Sequence, residues 1–143
     1  MTIKNILKNK PPGFISVAPD TSVADVLAVL ADKRIGAVLV TEGDRLAGIL
    51  SERDVVRCLA SHGISTMDMA ASELMTANPT CGTLATSVPQ AMAIMTDGHF
   101  RHLPILEDGK LIGLVSIGDV VKAMIEQSQF EVDTLRTYVS GAV

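Results

Sequence analysis

The residues best suited to chemistry are two serine–aspartate pairs that follow the same short phrase at two places in the chain. Ser51 and Asp54 come after a glycine and two apolar residues, and Ser116 and Asp119 do the same 65 residues later. Ser-x-x-Asp is typical of a helix N-terminus, with serine as the N-cap and aspartate three residues on. A helix start also presents backbone N–H groups and a positive dipole end, which suits a phosphate. The spacing therefore predicts either a plain capping box or part of a ligand site.

The elements around these pairs are repeated as well. Each pair follows an apolar run suited to a buried strand and begins a helical pattern. An earlier helix in the first half, beginning at Ser22, has its counterpart at Ser87, and both are preceded by a threonine and followed by a valine. The hydrophobic positions shared by these earlier helices are Val23, Val26, Leu27 and Leu30 in the first and Val88, Ala91, Met92 and Met95 in the second. Internal repetition of this kind defines the architecture.

Each copy has the order β-α-β-β-α, and one copy alone is too small to bury its own faces well. We therefore predict an α+β fold in which two tandem repeats pack sheet to sheet about a pseudo-twofold axis. The two Ser-x-x-Asp helix starts would then face a shared cleft. The predicted divisions are an N-terminal segment 1–13, a first repeat 14–63, a linker 64–78 with a short helix, a second repeat 79–126 and a C-terminal helix extension 127–143.

Apolar residues also mark the C-terminal helix. They recur at alternating spacings of four and three residues, which is a heptad-like pattern interrupted by a serine. This pattern could pack on the protein's own surface or against a partner subunit. Its members are Val121, Ile125, Ser128, Val132, Leu135 and Val139.

Composition and charge narrow the classes of function. A net charge of −4 and a pI near 5.2 argue against a nucleic-acid-binding protein, which would carry a basic stripe. No apolar run approaches the ~20 residues of a membrane span, and the first residues lack the apolar core of a signal peptide. The two cysteines, Cys58 and Cys81, have no spacing that suggests a disulfide framework. The chain is therefore expected to be cytoplasmic, without nucleic-acid or membrane partners.

Three features together resemble a tandem pair of cystathionine-β-synthase (CBS) domains. They are the doubled glycine–apolar–apolar–Ser-x-x-Asp phrase, the Thr-Ser-Val helix starts and the string Phe100-Arg101-His102-Leu103-Pro104-Ile105. The resemblance covers about residues 14–126 and is nearest to small bacterial proteins that consist of this module alone. It implies binding of an adenosine nucleotide (AMP, ADP, ATP or NAD(H)) and a homodimer in which two modules form a flat disc.

The resemblance also implies a division of labour within each site. Asp54 or Asp119 would hold the ribose hydroxyls, and Ser51 or Ser116 with the helix N-terminus would hold phosphate. The chemistry agrees, because a carboxylate accepts two donors and would repel phosphate. The full expected set at the nucleotide is Val17, Ile35, Gly36, Ala37, Ser51, Glu52, Arg53, Asp54, Gly82, Phe100, Arg101, His102, Pro104, Ser116, Ile117, Gly118 and Asp119.

The second copy is the stronger candidate of the two. Gly118 would let a ligand approach the backbone, and Arg101 and His102 supply positive charge. In the first copy Gly36 and Ala37 stand where the family has an Arg-His type string, so charge from that strand is missing there.

No catalytic or metal-binding group is expected. His99, His102 and Cys81 lack metal-ligand spacing, and Cys58 with His62 is better explained as a half-buried thiol beside a helix-end histidine than as a nucleophile and base. The leading hypothesis is a non-catalytic regulatory module that senses energy or redox state and signals to an unknown effector protein. The alternatives are a structural dimerisation scaffold without ligand and a nucleotide hydrolase using Asp54 or Asp119 as a base.

Overall fold

The computed structural model describes residues 1–139 and has an α+β fold with two β-sheets. The predicted fold class and the long C-terminal helix are confirmed. The first half contains α1 (Ile3–Lys8), β1 (Ser16–Val17), α2 (Val23–Lys33), β2 (Ala37–Glu42), β3 (Arg45–Ser51) and α3 (Glu52–His62). The rest contains a 3-10 helix (Gly63–Asp68), α4 (Ala71–Leu74), β4 (Thr76–Ala77), β5 (Gly82–Thr83), α5 (Val88–Gly98), β6 (His102–Glu107), β7 (Lys110–Ser116) and α6 (Ile117–Val139).

The first sheet has four strands in the order β1-β2-β3-β4. β1 is parallel to β2, and the other neighbours are antiparallel. The central strand β2 begins with four buried apolar residues, 37–40, which is the pattern of a strand covered on both faces. The core on this sheet is formed mainly by aliphatic side chains from α2, β2 and β3, namely Val23, Val26, Leu30, Val38, Val40 and Leu50.

The second sheet has the order β5-β6-β7 and repeats this arrangement. β5 is parallel to β6, with Gly82 opposite Ile105. Local sequence explains the helix beside it: Ser87 and Gln90 form a capping box at the start of α5. α5 is followed by His99 in the left-handed region at φ 58°, just as Arg34 follows α2 at φ 55°. The strands at the start of the two repeats are short, since each has only two residues.

The chain forms two compact units that do not follow its linear order. One contains Gly13–Cys81 with Glu107–Ile112, and the other contains Met1–Pro12, Gly82–Leu106 and the residues from Gly113 onward. The N-terminal helix α1 therefore belongs with elements of the second repeat. Backbone hydrogen bonds join this N-terminal segment to the second repeat: the Ile3 N–H donates to the Thr86 carbonyl (2.9 Å), and the Val88 N–H donates to the Met1 carbonyl (3.1 Å).

The linker makes the equivalent backbone hydrogen bonds with the first repeat. The Val23 N–H donates to the Met69 carbonyl (2.9 Å), and the Ala71 N–H donates to the Thr21 carbonyl (2.8 Å). These bonds are equivalent, position by position, to those of α1, so residues 1–8 correspond to residues 69–76 at an offset of 68. Residues 1–8 precede the first repeat but pack with the second, and residues 69–76 precede the second repeat but pack with the first. The sequence predicted a short linker helix, but it did not predict this exchange.

α6 is one continuous helix, without a break where the extension was expected to begin. Val120 and Ala123 on its first turns are buried, whereas the predicted heptad-like positions are exposed wherever they fall in residues 117–139. Among the described helices, none is long and apolar enough to cross a membrane.

Candidate functional site

The first predicted site lies at the N-terminus of α3, where Ser51 is the N-cap. The Ser51 N–H and Oγ–H both donate to Oδ2 of Asp54, at 2.8 and 3.1 Å. The Glu52 N–H donates to the Gly36 carbonyl (3.0 Å), and Ala37 lies opposite Ser51 in the β2–β3 ladder. The structure therefore brings Gly36 and Ala37 against the Ser-x-x-Asp helix start.

The second predicted site lies at the N-terminus of α6 and has the same construction. The Ser116 N–H donates to Oδ2 of Asp119 (2.9 Å), and the Asp119 N–H donates to Oγ of Ser116 (3.1 Å). The Ile117 N–H donates to the Arg101 carbonyl (2.8 Å), the equivalent of the Glu52 bond in the first copy. Gly118 is exposed, and a Cβ added there would meet only Oγ of Ser116, at 3.6 Å.

Both aspartates keep one acceptor atom after capping. In each case the capping bonds fall on Oδ2, and within residues 1–139 no donor reaches Oδ1. A carboxylate held in this way can still accept a hydrogen bond from a ligand hydroxyl. The first N–H of each helix, by contrast, is already used by a loop carbonyl, so fewer backbone donors remain for a phosphate than the sequence suggested.

Lys10 is a residue that sequence reasoning missed. Its Nζ lies 2.7 Å from Oδ2 of Asp119 and donates to the Leu114 carbonyl at 3.0 Å. An ammonium has three donors, so one stays available. The position in the first repeat that corresponds to Lys10, at the offset of 68, is Asn78, and within the described residues Asp54 has no cationic partner. The two sites therefore differ in charge.

This ion pair sets the ionisation of the second site. Burial acts to raise the pKa of Asp119, but hydrogen bonds from Lys10 and Ser116 and the charge of Lys10 outweigh it, so the pKa lies below its ordinary value. Lys10 and Asp119 also line a pocket of about 440 Å³ between α1 and α6, together with Lys122 and Glu126. The carboxylate is thus ionised and available to a ligand at neutral pH.

The other predicted cations and the predicted aromatic residue differ in how far they are exposed. Arg101 and Arg53 are exposed, and His102 is half-buried as the first residue of β6. Phe100 is half-buried and packs over Gly98, where any Cβ would overlap the ring. A side chain at position 98 would therefore displace the Phe100 ring.

The predicted strand residues lie further from the serines. Val17 pairs with Val40, one strand away from β3 and three residues along β2 from Ala37. Gly82 is buried opposite Ile105, and Pro104 is buried within β6. Within its own unit, neither β1 nor β5 brings these residues against the Ser-x-x-Asp start, and their contact with a nucleotide stays a prediction.

Cys58 and His62, the pair considered as a nucleophile and base, lie close together, but the thiol also has other contacts. Sγ of Cys58 lies 3.6 Å from Nδ1 of His62, but it also contacts Sδ of Met69 (3.6 Å) and receives the Thr66 hydroxyl (3.5 Å). The thiol is thus part of the packing between α3 and the linker. Within residues 1–139, no three histidine, cysteine or acidic side chains cluster as metal ligands.

The chain is a small α+β protein that contains two copies of one unit, and each copy places a capped aspartate at a helix start. These features place it in the class of tandem-repeat modules. A profile described as "CBS domain" matches residues 3–61 and 71–126. The chain therefore belongs to the CBS-domain family, as a pair of repeats. The two matched ranges begin at Ile3 and Ala71, the equivalent residues of the exchanged segments.

Known proteins agree with this assignment. The CBS domain-containing protein CBSX3, mitochondrial, of Arabidopsis thaliana is 33% identical over 98% of this chain and 72% of its own length. The crystal structure of a CBS-domain-containing protein of Agrobacterium tumefaciens is 38% identical, covers 87% of this chain and 99% of that one, and has a TM-score of 0.85. A CBS domain protein from Pyrobaculum aerophilum, solved in complex with AMP, is 25% identical with a TM-score of 0.74 and covers 83% and 89% of the two chains.

Proposed function

We propose that this protein is a non-catalytic regulatory module that binds an adenosine nucleotide, AMP, ADP, ATP or NAD(H), at Asp54, Asp119 or both. The absence of catalysis is part of the proposal, as are a homodimer and an effector protein that responds to the bound state. The cytoplasmic location expected from the sequence stays a prediction.

One observation carries the proposal. Both repeats hold an N3 aspartate by one oxygen in a capping box and leave Oδ1 open. A ribose diol offers hydroxyl donors to such an oxygen, and the adjacent serine and helix N-terminus provide a place for a phosphate. The AMP complex of the Pyrobaculum aerophilum relative supports the choice of an adenosine ligand.

A thermal melt of the whole chain with AMP, ATP or NADH tests the proposal. A ligand at 100 times its dissociation constant stabilises by about 2.7 kcal/mol, which raises the melting temperature by several degrees. Asp54→Asn and Asp119→Asn keep a side-chain acceptor for the cap but lose the charge. We expect one or both to reduce the ligand-induced rise.

Asp25→Asn is the matched control. Asp25 is also an N3 aspartate, since its N–H donates to the N-cap Ser22 at the start of α2, but it is not part of the predicted site. It should leave the ligand-induced rise unchanged. An unchanged midpoint of the wild-type protein with all three nucleotides would contradict the proposal and favour a ligand-free scaffold. Product formation on prolonged incubation with ATP would favour a hydrolase.

A further inference from the structure

The last part of α6 is exposed on all sides. Every residue of 128–139 is exposed, so nothing in the described chain covers these twelve residues. A helix of this length is marginal in water without packing. It nevertheless presents large apolar side chains, including Val132, Leu135 and Tyr138. Contact with a partner would explain why these apolar side chains lie on an exposed helix instead of in the core.

The apolar positions of α6 form one surface, which we call the outer stripe. It consists of Val121, Ile125, Ser128, Val132, Leu135 and Val139. Its alternating spacing assigns heptad a positions to Ile125, Val132 and Val139, all β-branched. The d positions are then Val121, Ser128 and Leu135. β-Branched residues at a, combined with leucine at d, favour two parallel strands, and Leu135 is the d position that meets this rule.

The first half of the outer stripe also forms one wall of an open groove. Val121, Ile125 and Val132 line it together with Met92 of α5, and its volume is about 440 Å³. The groove is mostly apolar, and the buried residues Val120 and Ala123 are not among those that line it. A side chain from another helix could therefore insert beside α6 without disturbing the core.

The flanking charges favour one orientation of that second helix. In this register Glu131 occupies a g position, and Lys122 and Arg136 occupy e positions. Glu131 and Arg136 are five positions apart in the sequence, so the two do not face each other on one helix. In a parallel pair, g of one helix meets the following e of the other, which places Glu131 beside Arg136 twice. An antiparallel pair would instead oppose e to e, bringing cations together.

We infer that the outer stripe is a docking surface for the α6 helix of a second copy of this chain, forming a short parallel coiled coil. The inference rests on the homodimer in the proposed function and adds the surface and the orientation. Most of this surface lies beyond residue 126, where the match to the CBS domain ends. It does not involve Asp54 or Asp119.

Sedimentation equilibrium of the whole chain tests the surface. Val132→Asp places a charge at an a position and is expected to weaken dimerisation at least tenfold. Phe130→Asp is the matched control, because Phe130 is an exposed apolar residue of the same helix, 71% exposed, at an outward f position. It should dimerise like the wild type. A dimer unaffected by Val132→Asp overturns the coiled coil, and a monomeric wild type overturns both it and the homodimer.

Charge reversal tests the orientation. Glu131→Arg and Arg136→Glu should each weaken the dimer, and the double variant should restore it. Failure of the double variant to recover dimerisation overturns the parallel arrangement. The nucleotide-induced melting shift, measured on the same proteins, reports separately on the nucleotide-binding proposal, since these substitutions lie away from both aspartates.

Discussion

Nζ of Lys10 lies 2.7 Å from Oδ2 of Asp119 across 109 residues of sequence, with side-chain exposures of 34% and 25%. The bond joins the segment before the first repeat to the helix start of the second. The same oxygen accepts the Ser116 N–H. Asp119 is thus held both by a cap and by a cation distant in sequence, whereas within residues 1–139 Asp54 is held by its cap alone.

Lys10→Met should destabilise the protein at neutral pH, by roughly 0.5–1 kcal/mol because the pair is partly exposed and screened. The lowered pKa of Asp119 should move back towards its ordinary value. Such a depressed carboxyl stabilises the fold above the unfolded-state pKa, and this contribution disappears as pH falls through the folded-state pKa. The difference between variant and wild type should therefore vanish in acid, as followed by urea denaturation at several pH values.

Lys8→Met is the control for this experiment, since Lys8 is an exposed lysine in the last turn of α1. An NMR titration of the Asp119 carboxyl carbon gives the pKa directly. If that pKa is the same in Lys10→Met and wild type, the ion pair does not act on Asp119 in solution.

Gly48→Ala should destabilise the first sheet by about 1–3 kcal/mol, the cost of overpacking. A Cβ at Gly48 would lie 2.6 Å from both Sδ of Met75 and the Thr76 carbonyl oxygen, and the latter is held in β4. At Gly118 an added Cβ makes only an ordinary van der Waals contact with Oγ of Ser116, at 3.6 Å, and alanine improves helix propensity, so Gly118→Ala should be neutral or stabilising. Denaturation midpoints compare the two, and an equal effect would show that the β3–β4 approach is looser than described.

Ile3→Ala should destabilise the protein by about 2–5 kcal/mol, because it removes a fully buried core side chain. Ile64→Ala makes the same chemical change at a position that is 83% exposed, and its effect should stay within about 0.5 kcal/mol. Similar midpoints for the two variants would mean that α1 is not docked in solution.

Cys81 should react slowly with alkylating reagents at neutral pH. Burial raises the pKa of its thiol, which also donates to the Pro79 carbonyl at 3.3 Å. The thiolate is the reactive form, so the labelling midpoint in the native protein should lie at higher pH than in the same chain unfolded in guanidinium. Peptide mass spectrometry measures both, and a native midpoint at or below the unfolded one would refute the burial effect.

Local signals predicted much of this structure, because they act over a few residues. The caps at Ser22, Ser51 and Ser87 and the strand at 37–40 all follow from neighbouring side chains. The offset of 65 gave the repeat, and with it the equivalence of Asp54 and Asp119.

The misses all depend on contacts between distant segments. Nothing near Lys10 indicates Asp119, and the only available signal was the weak match of residues 1–8 to 69–76 at a second offset, 68. β4 is two residues long and exists because it pairs with Gly48 and Ile49. The pattern on α6 was recognised, but only the structure shows that the chain leaves it uncovered.

The exchange of α1 and α4 has a consequence for biosynthesis. Residues 1–8 emerge from the ribosome long before Thr86 and Val88, their hydrogen-bonding partners, have been translated. The first repeat, by contrast, can close as soon as Met69 to Ala77 are made. The N-terminal helix thus lacks its hydrogen-bonding partners until the second copy is translated, and a chain cut after Ala77 would leave the second copy without α1, whereas the first copy would keep residues 69–77.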